Sequence, residues 1–211
     1  MTPATPQNLW NRNFVTYWAA IALTALGDAF VLVALPFLVL ELTGSPSALA
    51  TVVLISTLPR FLGPFTGTLA DRLHLRLPFV VSSLLRAALF AGLSGLALGG
   101  SLPTWLIYVA APLNGLLTSF TAAAGIVLVP HLVPREQLAR ANSLMQGALM
   151  GVPLLGLGVA GALVGTLGVA PTILLASPCL LALAVAALLI DFPPVAVRNG
   201  GQSVAADLAR V

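Results

Sequence analysis

Lysine is missing from this chain altogether, cysteine occurs once, and charged residues of either sign fill only 7% of its 211 positions. Each shortage excludes something. Ordinary soluble domains carry about 25% charged side chains, so a water-facing surface cannot be assembled from this composition. A P-loop of the form G-x-x-x-x-G-K-[ST] needs a lysine, which rules out ATP hydrolysis by that device. With Cys179 alone in an apolar run, neither a disulfide framework nor a Cys/His metal site arises, and nothing calls for a cofactor. The nine cations are all arginine against six acids, a formal charge of +3. They form no cluster or stripe, so a nucleic-acid surface is excluded too.

What the chain has in abundance is apolar residues, 59% of the total. About 20 consecutive apolar residues cross a ~30 Å hydrocarbon core, and six runs qualify: Phe14–Leu40, Ala48–Ala70, Leu77–Gly99, Pro103–Pro130, Leu144–Gly168 and Pro171–Ile190. Turn residues separate them, as in Thr43-Gly44-Ser45-Pro46 and Gly99-Gly100-Ser101-Leu102-Pro103. The fold expected is an all-α membrane protein of six transmembrane helices, antiparallel to their neighbours. The first run is too long for a signal-peptide core and lacks an adjacent small-residue cleavage site, so it reads as a retained span. Arg12, Arg72, Arg76, Arg135, Arg140, Arg198 and Arg210 all fall in alternate connectors, while the three opposite loops hold only Glu41. Because arginine is biased to the cytoplasmic side, both termini are expected in the cytoplasm, in a multi-pass cell (inner) membrane protein.

Three parts follow: a cytoplasmic segment over 1–13, the bundle over 14–190, and a cytoplasmic linker over 191–211. The linker carries Pro193-Pro194 and Gly200-Gly201, and a helix-like pattern begins at Ser203 and stops. A truncated frame is one reading of that stop and a frayed tail the other. Gly63/Gly67 in the second run and Gly161/Gly165 in the fifth are spaced for close helix packing. They occupy equivalent places in two three-helix units, the kind of internal repeat found in transporters. Prolines within the runs (Pro36, Pro59, Pro64, Pro112, Pro153 and Pro178) favour kinks.

Three charges lie inside apolar runs: Asp28, Arg60 and Arg86. At a span centre each costs about 2.5 to 3.5 kcal/mol, so such residues face the bundle interior, pair, and mark pathways. At 1.5 Å per residue, Arg60 and Arg86 lie roughly 15 Å and Asp28 roughly 20 Å from the arginine-rich ends of their helices, within reach of one network. Tyr17, Thr24 and Asp28 share one face of the first helix, and Asn114, Thr118 and Thr121 one face of the fourth. Two such stripes suit a water-filled central cavity. Thr and Ser also cap backbone carbonyls inside membranes, which leaves a structural role open. Gly92-Leu93-Ser94-Gly95 matches the G-x-S-G pattern of rhomboid-type proteases. A serine nucleophile needs a base within reach, and both histidines, His74 and His131, sit at the arginine-rich end, away from Ser94. An enzyme is not indicated.

The stretch Gly67-Thr68-Leu69-Ala70-Asp71-Arg72-Leu73-His74-Leu75-Arg76 resembles the major facilitator superfamily signature G-x-x-x-D-R-x-G-R-[RK], matching at Gly67, Asp71, Arg72 and Arg76. His74 and Leu75 stand where the family has Gly and Arg. Residues 130–144 resemble the P-x-L-V-P-x-x-x-L-x-x-A-N-x-L connector of the drug-exporter branch that includes macrolide and enterobactin exporters. The family's antiporter motif, ending G-P-x-x-G-G, is met only in part by Gly156-Leu157-Gly158-Val159-Ala160-Gly161. This resemblance implies the N-terminal half-bundle of a twelve-helix secondary transporter. It implies that Gly67, Asp71, Arg72 and Arg76 gate the cytoplasmic face. The implied partners are the lipid bilayer, a small-molecule substrate, and a second six-helix half or another protomer. With the antiporter motif incomplete, Asp28 becomes the candidate for proton coupling. A non-transporting membrane partner, or an inactive transporter remnant, is the other class open.

Overall fold

The computed structural model describes residues 8–59 and 76–191, all helices and connectors with no strand among them. Arg60, Gly63, Pro64, Gly67, Asp71, Arg72, His74 and residues 192–211 lie outside the described residues, and with them most of the expected gating motif and the expected linker. We number the described α-helices α1 (Arg12–Thr43), α2 (Pro46–Thr57), α3 (Arg76–Leu98), α4 (Thr104–Leu132), α5 (Leu138–Leu167) and α6 (Val169–Leu189). A one-turn 3-10 segment, Arg135–Gln137, precedes α5. Five of them, all except α2, are long and apolar enough to cross a membrane. The described part of α2 is 12 residues long and stops short of that length.

Local chemistry explains the boundaries. Asn11 caps α1 by accepting the Phe14 N–H at 2.9 Å, satisfying one of the orphan amides at a helix start. At the other end Gly44 takes φ +62°, a left-handed conformation open to glycine, and its N–H donates to Leu40 O at 2.8 Å. Ser45 then caps α2, whose first residue, Pro46, has no N–H to leave unsatisfied. Pro36, Pro112, Pro153 and Pro178 sit inside helices, as the apolar runs require.

Cross-links between helices define the two ends of the bundle. Asn11 Nδ2 donates to Leu132 O at 2.6 Å, tying the start of α1 to the end of α4. Trp18 Nε1 donates to Leu144 O at 3.1 Å, joining α1 to the first turns of α5. Arg76 donates to Ile190 O at 3.0 Å, joining the start of α3 to the end of α6. An edge-to-face pair of Tyr17 and Phe79 connects these two groups. Arg12, Arg76, Arg135 and Arg140 therefore gather at one end, while Glu41 and the α1–α2, α3–α4 and α5–α6 turns form the other. The charge asymmetry of the sequence is thus a spatial asymmetry.

Helices α1 and α6 pack most extensively, with α3 also against α6, α5 against α1, and α4 against α3 and α2. Glycine permits the closest approaches. A Cβ added at Gly27 would lie 2.9 Å from Cys179 Cβ in α6, one at Gly156 would lie 2.7 Å from Ala29 Cβ in α1, and one at Gly115 2.7 Å from the Ser56 carbonyl in α2. Gly161, expected from its spacing with Gly165 to be a packing position, meets nothing inside the bundle, and neither does Gly165. Close packing here is made by glycines facing α6, α1 and α2, while that pair looks outward.

Candidate functional site

The buried apolar residues fall into two clusters. One surrounds Phe14, Phe79, Leu128 and Leu183 at the arginine-bearing end; the other surrounds Phe30, Phe90, Ile107 and Ile173 toward the opposite end. The buried polar residues Thr24, Ser82, Ser83, Arg86, Thr121 and Ser177 come mostly between them in chain position. The core is therefore layered, with a polar stratum where α1, α3 and α4 converge.

Arg86 is the centre of that stratum. Its residue exposure is 1%, making it one of the largest fully buried side chains in the protein. One terminal nitrogen pairs with the Asp28 carboxylate, and its Nε donates to Asn114 Oδ1 at 2.8 Å. One guanidinium thus binds α1 and α4 to α3. Of the two arginines within sequence reach of Asp28, the structure places Arg86 on it; Arg60 lies outside the described residues. The pairing removes the main penalty of a buried cation, since an unpaired charge in a low-dielectric interior would cost several kcal/mol.

The partners differ in access. The Arg86 side chain is 2% exposed and that of Asp28 36%. The carboxylate lies at the edge of the packed core with one oxygen on the guanidinium, and the cation is sealed behind it. The acid is thus partly exposed, set deep among the helices, while its counter-ion is sealed.

The two expected polar stripes resolve differently. Thr24 is buried at 7% exposure, and its hydroxyl has no hydrogen-bond partner among the described residues. Tyr17 is buried as well, its hydroxyl directed at Gly125, where a Cβ would lie 2.7 Å away. On α4, Thr118 donates to Asn114 O at 2.9 Å and Thr121 to Thr118 O at 2.8 Å. Both hydroxyls are engaged by the helix backbone, as threonine in a membrane helix permits. Asn114 is the stripe residue whose side chain serves the charge. Ser94 is fully buried and donates to Ala170 O at 2.7 Å, a helix-to-helix tie with no base beside it among the described residues. No group of three metal-ligating side chains occurs among the described residues. Asn11 and Trp18 are structural ties that the sequence pattern does not single out. Asn11, three residues before the first buried Phe14, is a recognisable cap, but its second bond to Leu132 has no local signal.

Apolar helices of spanning length, with an ion pair and its amide partner held between them, define a multi-pass membrane protein. The Major Facilitator Superfamily sequence profile matches residues 17–209, and the chain belongs to that family of membrane transporters. It is similar to macrolide efflux protein A of Streptococcus pyogenes, 31% identical over 134 residues, which are 63% of this chain and 33% of that protein. It is also similar to uncharacterized MFS-type transporters of Mycobacterium bovis and Mycobacterium tuberculosis, each 31% identical over 147 residues, or 65% of this chain and 33% of theirs. The matched region spans about a third of the length of these relatives.

Proposed function

We propose that this chain forms the N-terminal six-helix half of a secondary transporter that exports a small amphiphilic or drug-like molecule by alternating access. The observation that carries the reading is the Asp28–Arg86 pair, a partly exposed carboxylate on a sealed arginine. Movement between a wet and an occluded cavity would change the proton occupancy of Asp28, and this is the physical requirement for coupling export to a proton gradient. The likeness to a macrolide efflux protein supports the direction and the substrate class. In this reading Asp28, Arg86, Asn114, Thr24 and Thr118 belong to the cavity wall or its support, and Arg60 joins them from the second span.

The six helices then form two three-helix repeats over 14–190, with segments 1–13 and 191–211 in the cytoplasm of a cell with this protein in its inner membrane. Gly67, Asp71, Arg72 and Arg76 gate the cytoplasmic face. A second half or another protomer completes the cavity. Its natural seat is α5, the least buried of the five described helices of spanning length: 17% of its apolar stretch is covered against 56% for α1. Gly147, Gly151, Gly158, Gly161 and Gly165 line its open side with nothing within 4 Å, and such small-residue faces let helices approach closely in lipid.

The deciding experiment is substrate efflux and proton flux for Asp28→Asn in the complete transporter. Loss of coupling with retained substrate binding is expected. Unchanged proton-coupled efflux would eliminate the role of Asp28, and absence of any export by the intact protein would favour a non-transporting membrane partner.

A further inference from the structure

The side of α1 turned away from Asp28 carries a second feature. Val15, Ala19 and Leu23 of α1 and Pro178, Ala182 and Leu189 of α6 line an open groove of about 550 Å³ with a mostly apolar wall, Thr16 being its polar side chain. Four of its lining residues are alanines, Ala19, Ala20, Ala182 and Ala186. From Val15 to Leu23 the groove runs roughly 12 Å along α1 at 1.5 Å per residue, close to one leaflet's share of a ~30 Å hydrocarbon core. At about 100° per residue, Arg12 lies on the same stripe as Val15, Ala19 and Leu23, whereas Tyr17, Thr24 and Asp28 lie on the opposite side. Arg12 is exposed, has no ion-pair partner among the described residues, and begins α1, where the helix end adds partial positive charge. No carboxylate lies on the groove's walls among the described residues. Trp10, 51% exposed, sits beside Arg12, at the level where tryptophan marks a membrane–water boundary.

We propose that this groove seats an acyl chain of a bilayer phospholipid whose phosphate is held by Arg12. The shape takes a flexible chain one leaflet deep, and the charge on the stripe stands at the mouth, where a headgroup would lie. Guanidinium and phosphate match in a two-pronged hydrogen-bonded pair, which orients the lipid with its tail along the alanine-lined groove. The inference rests on the chain being a membrane protein and not on what it transports.

The test uses the full chain, purified in mild detergent, stripped of lipid, and offered phosphatidylglycerol or a diacylglycerol with the same tails. Retained lipid is counted by native mass spectrometry. One phosphatidylglycerol should be held, with a several-fold preference over diacylglycerol. Arg12→Gln should bring that retention down to the diacylglycerol level, and Arg12→Lys should restore part of it. Ala19→Phe should lower retention of both lipids by filling the groove; if it fails to fold, Val185→Trp, at another lining residue, fills it from the α6 wall. Equal retention of the two lipids, or retention unchanged in folded Arg12→Gln or Ala19→Phe, would overturn the proposal. So would failure of the unaltered chain to hold any lipid, which would leave the groove to a segment of the chain or a second copy. Transport is not read in this assay, so its outcome is independent of the export reading.

Discussion

Asp28 and Arg86 are joined in one ion pair yet separated in access, the carboxylate being 36% exposed and the guanidinium 2%. Removing one member of a buried pair leaves the other uncompensated, at a typical cost of about 3–5 kcal/mol, whereas replacing both with apolar groups is often neutral. The burial asymmetry makes the two single losses unequal. Asp28→Asn leaves Arg86 sealed without its anion, while Arg86→Met leaves a carboxylate that can recruit water. Asp28→Asn is expected to be the more destabilising, and Asp28→Asn with Arg86→Met to cost less than the sum of the singles. Reversible unfolding in mixed micelles, read as a double-mutant cycle, checks the order.

Asn114 should behave as a support for the charge and not as a general helix-packing residue. Asn114→Ala removes the acceptor of Arg86 Nε, and hydrogen bonds to charged groups contribute about 1.5–3 kcal/mol. In an Arg86→Met background that loss should shrink to a few tenths. Thr118→Ala, which frees only a backbone carbonyl already serving the helix, should change stability by less than about 0.5 kcal/mol.

The tie at the arginine-bearing end gives a third expectation. Asn11 caps α1 and also donates to Leu132 O, so Asn11→Ala should cost more than the ~1 kcal/mol typical of a lost cap. Asn11→Ser restores the cap but cannot reach as the amide does. It should therefore recover only the first part, measured by thermal unfolding and by hydrogen exchange at the start of α1.

Topology can be tested with thiols because Cys179 is the sole cysteine. In a Cys179→Ala background, which keeps the Cβ packed near Gly27, Ser45→Cys and Ser101→Cys should react with a membrane-impermeant maleimide from the periplasmic side. Gln137→Cys should react only after permeabilisation. Labelling of Gln137→Cys in intact cells would reverse the orientation.

Much of this is legible in the residues, for reasons that also mark the limits. The apolar runs locate every long helix because a lipid-exposed span is apolar on all faces. Six of the earliest residues of α5, Leu138–Ser143, fall outside its run because Arg140 and Asn142 are polar, yet the helix includes them. Hydropathy measures the membrane core, and a helix can continue past it into the interface. Asp28 and Arg86 stand out by their cost in an apolar run, and helix depth makes their meeting possible. Placing Arg86 on Asp28, or seeing Asn114 as its second partner, needs the rotation of α3 against α1 and α4, and spacing along one helix does not contain that. The Gly161/Gly165 pair shows the same limit. A small-residue pattern says that a close approach is possible without saying to what.

Helix α5 consequently has two faces that respond to different things. A Cβ at Gly156 would lie 2.7 Å from Ala29 and 3.1 Å from Leu26 of α1, whereas two residues on, a Cβ at Gly158 would meet nothing within 4 Å. Gly156→Val should therefore cost about 1–3 kcal/mol through overpacking and disturb the bundle in isolation, while Gly158→Val should leave the isolated chain's unfolding curve unchanged. Any defect of Gly158→Val seen only in cells would then belong to whatever lies against that face, so a valine scan along this one helix can separate the chain's own folding from its assembly even while the partner is still unidentified.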